Sequence, residues 1–134
     1  MTGSKAEGDA LLATLKYAYR LVEESEWATA QSLGFYGGSP LDEKDNFMHL
    51  SLPDQVLTTA RLYYSTHPGP LLVLCVDLSL VPGAQLRADW VETRKSFFPH
   101  ITGGEKGYTF PVSSVVKVHT LTKTPSGDWE GFVV

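Results

Sequence analysis

The chain has 134 residues, 43% of them hydrophobic, and its 11 basic and 15 acidic residues give a formal net charge of −4. This length predicts a single domain, which we assign to residues 16–134. Residues 1–15 are predicted to be a flexible N-terminal tail. Because nucleic-acid binding depends on neutralising phosphates with lysine and arginine, the scattered and mainly acidic charge argues against a nucleic-acid partner.

Cysteine usage and apolar run lengths exclude two further classes. Cys75 is the only cysteine and lies in the apolar run 71–76, so the chain has no disulfide framework and the thiol is expected in the core. That run is far shorter than the roughly 20 residues that a membrane span requires. The first fifteen residues also lack the basic and apolar segments of a secretory signal. We therefore expect a cytoplasmic protein with no membrane partner.

The first third of the chain alternates between strand and helix signals. Apolar residues at every second position predict a strand over 16–22. Ser25 is a good N-cap for a following helix, and Gly34 is suited to end it in a left-handed conformation. A turn over 37–40 and a short apolar strand over 47–51 follow.

The strongest helix signal begins after this strand. Ser51 is predicted as the N-cap of a helix from about Pro53 to Tyr64, because Asp54 stands in the capping-box position and apolar residues follow at helical spacing. The continuous apolar run 71–78 predicts a strand that is buried on both faces.

The last part of the chain contains three more predicted strands and one long loop. The strands are predicted over 86–92, 115–121 and 129–134, with a hairpin turn at 125–128 before the last. Residues 93–110 show no clean period, and a loop of that length in a small domain is usually functional or disordered. The sum is an α+β fold with a mixed β-sheet and about two helices.

The stretch 34–51 concentrates the residue types that could carry chemistry. On a strand, His49 shares one face with Phe47 and Ser51. Acidic residues and glycines flank His49 at the edge of a loop, which favours a functional role for it. For Ser51 the capping role is favoured over catalysis. Asp42 and Asp45 could be a metal pair or a turn pair; the turn is favoured, because the spacing of a calcium loop is absent.

The other histidines and the glycine-rich segment give weaker functional signals. The four histidines lack the spacing of a zinc site. His100 follows Pro99, whose fixed φ makes the backbone before His100 rigid. A functional side chain held in position and a loop histidine that bonds to backbone are equally favoured interpretations. The glycine-rich segment 103–107 lacks either phosphate-loop motif and is predicted to be a mobile loop.

Several short motifs, in this order, resemble a small bacterial and fungal family known as domain of unknown function 952. The resemblance rests on Tyr19-Arg20-Leu21, Glu26-Trp27, Ser39-Pro40-Leu41-Asp42, Asp45-Asn46-Phe47-Met48-His49-Leu50-Ser51, Leu72 to Asp77, and Phe98-Pro99-His100 with Gly103. Asn46 stands where the family usually has glycine, and asparagine visits left-handed conformations readily. That family is similar in fold to the ADP-ribosyltransferases, which have a split, mixed β-sheet and bind NAD in a central cleft.

The resemblance also implies roles for individual residues. It places Arg20 or His49 against the adenosine ribose, and Glu92 or His100 against the nicotinamide ribose. The candidate catalytic residues are therefore His49, Glu92 and His100. The candidate ligand-binding residues are Arg20, Asp42, Asp45, Phe47, Ser51, Trp90, Phe98 and Gly103.

Two functions are consistent with this reading. In the first, the chain binds or acts on NAD or a related nucleotide, and Glu92 stabilises the positive charge that develops as the nicotinamide bond breaks. In the second, a non-catalytic module uses the same cleft and the 93–110 loop to bind a small metabolite or a partner chain. The sequence leaves open whether the protein is an enzyme, names no required cofactor, and does not fix the oligomeric state. The position of Glu92 relative to His49 distinguishes the two functions.

Overall fold

Two antiparallel β-sheets form the frame of the computed structural model, which describes residues 3–81, 84–103 and 108–133. The first sheet contains, in spatial order, β1 (Tyr17–Glu23), β4 (Leu71–Asp77), β8 (Val115–Lys123) and β9 (Trp129–Glu130). The second contains β3 (Met48–His49), β6 (Ser96–Gly103) and β5 (Ala84–Val91). A separate pair is formed by β2 (Phe35–Tyr36) and β7 (Phe110–Pro111).

The α+β class is confirmed, but two details of the predicted fold are wrong. Every strand pair in the described residues is antiparallel, so the sheet is not mixed. The described residues also form four α-helices rather than about two: α1 (Lys5–Leu12), α2 (Glu24–Leu33), α3 (Pro40–Asp45) and α4 (Val56–Tyr63). Short 3-10 turns cover Pro53–Gln55, Leu78–Leu80 and Val112–Ser114. Within the described residues, no helix is long and apolar enough to cross a membrane.

The N-terminal segment, predicted to be a flexible tail, contains α1. Ser4 caps this helix: its hydroxyl accepts from the Glu7 N–H, and the Glu7 carboxylate accepts from the Ser4 N–H. Lys5 and Asp9 add an ion pair one turn apart. The capping box, which is visible in the sequence, therefore outweighs the weak apolar pattern of this segment.

The first sheet is covered on both faces, and β4 is buried along its whole length as predicted. One face packs Val56 and Ala60 of α4 against apolar side chains of β1, β4 and β8. The other face packs against Ala30 of α2, Met48 of β3 and Ile101 of β6. Cys75 is a buried free thiol within this core, as expected.

A single bridge joins the two sheets in the described part of the chain. The Tyr19 N–H donates to Ser51 O over 2.9 Å, and the Ser51 N–H donates to Tyr19 O over 2.8 Å. In an antiparallel ladder the next rung would pair Leu21 with His49, two residues along each strand. That rung is absent, so β1 and β3 separate beyond the bridge and leave a gap between the sheets.

The segment 93–110 is not one long loop. Residues 96–103 form β6, which pairs with β5 along its length through a tight turn in which Lys95 has a φ of 51°. The four residues 104–107 of the predicted glycine-rich loop lie outside the described residues. The sequence did not predict this strand, because Phe98, Pro99 and His100 are consecutive and all buried, so polar and apolar residues do not alternate there.

The ends of the helices differ from the predicted caps. Glu23 rather than Ser25 occupies the N-cap of α2, and Leu52 rather than Ser51 precedes the 3-10 turn that leads into α4. The two left-handed positions are confirmed, since Gly34 has a φ of 87° and Asn46 a φ of 59°. Asn46 ends α3 and turns the chain directly into the strand that carries His49.

Candidate functional site

A cavity of about 370 Å³ lies where β1 and β3 separate. Its polar lining residues are Arg20, Ser39, Asp42, His49, Ser51, Thr59, Arg94 and His100. Its apolar and aromatic walls include Leu21, Leu41, Leu50, Tyr64, Val91 and Phe98. This volume falls in the range of small-molecule sites, which combine apolar walls with a few placed polar groups.

Asp42, in the first turn of α3, is fully buried at the inner end of the cavity. Its Oδ2 accepts from the Ser39 N–H at 2.7 Å and from the Ser39 hydroxyl at 2.9 Å. Its Oδ1 accepts from the backbone N–H of His49 and from Arg20 Nη1, both at 2.9 Å. The short helix therefore fixes a carboxylate between β1 and β3 rather than forming the predicted turn pair.

Arg20 fills the gap that the missing rung leaves. Its Nε donates to Leu21 O at 3.2 Å, and its Nη1 donates to His49 O at 2.9 Å, so one guanidinium joins the carbonyls of both separating strands. Its Nη2 lies 2.8 Å from Asp42 Oδ2 and donates to the Tyr36 hydroxyl at 3.0 Å. All three guanidinium nitrogens thus contact protein oxygens, which leaves no nitrogen for the ribose or phosphate contact that the resemblance implies.

The ionisation of this group follows from its contacts. Burial disfavours the Asp42 carboxylate, but the hydrogen bond from His49 and the charge of Arg20 outweigh it, and the pKa of Asp42 lies well below its usual range. Burial also opposes the charge on Arg20, yet the nearby oxygens of Tyr36 and Asp42 raise its pKa. Arg20 and Asp42 therefore form a buried ion pair in which each charge favours the ionised form of the other.

His49 is held at both ring nitrogens. Its Nδ1 lies 2.7 Å from Asp42 Oδ1, and its Nε2 lies 2.9 Å from Asp45 Oδ2. Since a carboxylate only accepts hydrogen bonds, both contacts are satisfied when both nitrogens carry a proton. The ring consequently has no free nitrogen for a ligand, although it lines the cavity.

His100 is the cross-strand partner of His49, and its ring has a different environment. Its Nδ1 lies 2.6 Å from Asp89 Oδ2, and its side chain is 6% exposed. Burial lowers the pKa of His100, although the hydrogen bond to Asp89 opposes that shift. Phe47 packs beside both imidazoles, with ring centroids 4.6 Å from His49 and 4.2 Å from His100.

Arg94 lies in the turn between β5 and β6. Its Nη2 donates to Thr59 Oγ1 at 3.1 Å, and its guanidinium carbon is 4.6 Å from the ring centroid of Phe98. The Nε and Nη1 groups have no acceptor among the described residues. Arg94 is therefore a cation at the cavity whose hydrogen-bonding capacity is largely unused.

Two of the hydroxyl groups that line the cavity, those of Ser51 and Tyr64, are available to a ligand. Ser51 is buried, and its hydroxyl does not cap a helix; it has no hydrogen-bond partner among residues 3–81, 84–103 and 108–133. The Tyr64 hydroxyl likewise has none there, and burial raises its pKa while the charge of Arg20 opposes the rise. Both groups can donate to or accept from a ligand.

Five of the predicted site residues are not among those that line the cavity: Asp45, Phe47, Trp90, Glu92 and Gly103. Trp90 packs edge-on against Phe97, and its indole N–H donates to Glu92 at 2.7 Å. The Glu92 side chain is 70% exposed and also pairs with Lys95. Gly103 ends β6 opposite Ala84. Because side chains alternate across a strand, Asp89 and Val91 face the cavity side of β5 while Trp90 faces away.

The residues missed by sequence reasoning are Asp89, Arg94 and Tyr64. Tyr64 was assigned to a helix without a role, and Arg94 was included in the long loop. Because side chains alternate along a strand, the sequence could have placed Asp89 on the face opposite Trp90. No local pattern indicates that Asp89 contacts a histidine eleven residues later. Among the described residues, no three histidine, cysteine or acidic side chains are placed to hold a metal ion.

The sequence and this fold match proteins that have been seen before. A family model described as "Protein of unknown function (DUF952)" matches residues 21–118, which is most of the chain. The chain belongs to the DUF952 family. This confirms the family resemblance seen in the sequence. No curated protein matches the chain.

Solved structures of protein CC0527 from Caulobacter crescentus are similar to this DUF952 protein. A crystal structure of its double mutant has a TM-score of 0.70 at 25% identity, covering 85% of this chain and 93% of that chain. A second crystal structure has a TM-score of 0.68 with the same identity and coverage. The solution NMR structure has a TM-score of 0.61 at 23% identity, covering 85% and 91%. These comparisons identify the family and its fold and assign no activity.

The ion pair between Arg20 and Asp42 leads to a first prediction. Asp42→Asn should lower the free energy of unfolding by about 3–5 kcal/mol, because it leaves the buried guanidinium without a countercharge. Asp128→Asn is the matched control: it removes the partner of exposed Arg61 and should cost no more than about 1 kcal/mol. Urea unfolding monitored by tryptophan fluorescence measures both. Equal losses in the two variants would contradict the role given to Asp42.

Gly38 provides a second test of how tightly Asp42 is held. Its φ is 88°, and an added Cβ would lie 3.0 Å from Asp42 Cβ and 3.1 Å from the Tyr108 ring. Gly127 has a φ of 86° with open space around it, so Gly127→Ala isolates the backbone cost of about 1–2 kcal/mol. Gly38→Ala should cost roughly a further 1–3 kcal/mol from crowding. Equal losses of thermal stability would show that the space beside Asp42 is not constrained.

The buried position of His100 leads to a third prediction, that the stability of the protein depends on pH. Burial holds the pKa of His100 in the folded protein below the usual histidine value of about 6.5, so the unfolded chain binds more protons than the folded protein as the pH falls through that value. The free energy of unfolding should therefore decrease from pH 7 to pH 5, and His100→Gln should show a smaller decrease. Chemical unfolding at both pH values measures the free energy of unfolding. Equal decreases in the wild type and in His100→Gln would contradict the role given to His100.

Proposed function

We propose that this DUF952 protein binds a small anionic metabolite in the cavity between its two sheets. The observation that carries the proposal is the unused guanidinium of Arg94 beside the cavity. A planar guanidinium with free N–H groups suits a phosphate or carboxylate, whose oxygens accept two parallel hydrogen bonds. Phe98 under the guanidinium restricts its orientation, which reduces the entropy lost on binding.

The distribution of charge around the cavity supports the same conclusion. Arg20 is paired with Asp42, so this inner pair contributes little net field. Asp89 and Asp45 are each bonded to a histidine. Arg94 has no carboxylate within ion-pair distance among the described residues, and it is the group that an incoming anion would neutralise.

The walls indicate the rest of the ligand. Leu21, Leu41, Val91 and the Tyr64 ring present apolar surface to the cavity. An anion with an apolar or planar portion would bury that portion against these side chains, at roughly 25 cal/mol for each Å² removed from water. Nucleotides meet both requirements. NAD is therefore a fitting first ligand, and the proposed likeness to the ADP-ribosyltransferases also favours it.

Binding is better supported than transfer. The transferase mechanism requires a carboxylate next to the nicotinamide ribose, and the sequence offered Glu92 for that role. The exposed Glu92 is not part of the cavity lining. The proposal is therefore limited to recognition of the ligand in this cavity, and Glu92 has no part in it.

Calorimetric titration with NAD and with AMP tests this proposal. The wild type should bind with saturable heat, and Arg94→Gln should weaken binding about 10- to 150-fold, since a hydrogen bond to a charged group contributes roughly 1.5–3 kcal/mol. Arg61→Gln is the control, because Arg61 pairs with Asp128 outside the cavity. Unchanged affinity in Arg94→Gln, or no saturable heat from either ligand, would overturn the proposal in this form.

A further inference from the structure

His100 is a buried residue with a ring nitrogen that the fold leaves unused. The residue is 5% exposed and lines the cavity. Its Nδ1 is occupied by Asp89, whereas its Nε2 has no hydrogen-bond partner in the described part of the chain. In the described residues the fully enclosed side-chain nitrogen or oxygen without a partner is Trp129 Nε1, so His100 Nε2 is still reachable from outside. A ligand that enters the cavity and covers Nε2 must supply a hydrogen bond to it.

The partner of Nδ1 fixes what Nε2 can do. A carboxylate accepts hydrogen bonds and does not donate them, so the Asp89 contact places the proton on Nδ1. Burial lowers the pKa of His100 and keeps the ring neutral near pH 7. In the neutral ring with a proton on Nδ1, Nε2 carries the lone pair. His100 therefore presents an acceptor, and not a donor, to the cavity.

The other polar groups of the cavity do not duplicate this property. Arg20 and His49 have no free nitrogen, as described above, and the hydroxyls of Ser51 and Tyr64 adapt to either role. Arg94 can only donate, because a guanidinium has no acceptor. The Asp42 carboxylate also only accepts, but its oxygens are taken by Arg20, Ser39 and His49. Arg94 therefore offers unused donors and His100 Nε2 an unused acceptor, and a matching ligand has an acceptor for the first and a donor for the second.

We propose that the natural ligand is an anion that also carries a hydroxyl group, and that His100 Nε2 accepts the hydrogen bond of this hydroxyl while Arg94 binds the anion. This rests on the proposed function and narrows its ligand to hydroxylated phosphates or carboxylates. Asp89 is the positioning residue, because it selects the form of the imidazole that accepts. A ligand without the hydroxyl leaves a desolvated acceptor unpaired and should bind roughly 10- to 100-fold more weakly.

Matched pairs of ligands test the hydroxyl requirement. Glycerol 3-phosphate and n-propyl phosphate form the phosphate pair, and 3-phenyllactate and 3-phenylpropionate form the carboxylate pair. Titrations followed by NMR chemical shifts give the four dissociation constants. The wild type should prefer the hydroxylated member of at least one pair by about tenfold or more, and the pair that shows the preference identifies the anion.

Three variants separate this inference from the function on which it rests. Arg94→Gln should weaken both members of a pair equally and keep the hydroxyl preference. His100→Phe should abolish the preference while anion binding remains. Asp89→Asn should reduce or reverse it, since an amide can donate to Nδ1 and leave the proton on Nε2. Long-range ¹H–¹⁵N spectra of the imidazole report that change of tautomer directly, which a purely structural role of Asp89 would not produce.

The outcomes are distinct. Arg94-dependent binding without a hydroxyl preference would overturn the role of His100 and leave the anion site intact. A preference that survives in His100→Phe would assign the hydroxyl contact to another group and also overturn it. If no member of either pair binds in an Arg94-dependent way, the anion site and the inference that rests on it both fail.

Discussion

The buried ion pair between Arg20 and Asp42 is the interaction on which the site depends. β1 and β3 share a single rung at Tyr19 and Ser51 and then separate. Two strands that part in this way expose backbone carbonyls inside the protein, where an unpaired acceptor is costly. The guanidinium of Arg20 donates to one carbonyl on each strand, and Asp42 neutralises it. The cavity exists because a side chain, rather than a strand, fills this part of the gap.

The same pair explains why neighbouring charged residues differ in role. Asp42 also orients His49, whose other nitrogen contacts Asp45, so one carboxylate organises a strand, a helix and an imidazole. These groups are satisfied by each other and stabilise the frame. Arg94 and His100 keep hydrogen-bonding capacity that no protein group uses, although His100 is the cross-strand neighbour of His49. The hydrogen-bond partners of each group, rather than residue type, separate the supporting charges from those available to a ligand.

Local patterns allowed much of the frame to be predicted. Alternation located β1, the buried run located β4, and the face predicted to be shared by Phe47 and His49 agrees with the contact between their rings. Relations between distant segments could not be predicted. Arg20 meets Asp42 across 22 residues, and Asp89 meets His100 across a hairpin whose second strand has no visible period. Ser51 was misassigned as a cap because its local sequence fits one, whereas its backbone is engaged by Tyr19.

The single rung between the sheets has a mechanical consequence. Leu21 belongs to the first sheet and Tyr64 follows the helix that packs on it, whereas Phe98 and His100 belong to the second sheet and Arg94 to its β5–β6 turn. The sheets share one apolar core, but beside the cavity the backbone bridge between Tyr19 and Ser51 is not continued. A molecule that contacts both Arg94 and Tyr64 links the two sheets across this part of the structure. Its binding energy is then added to the stability of both sheets together, and not to that of one loop.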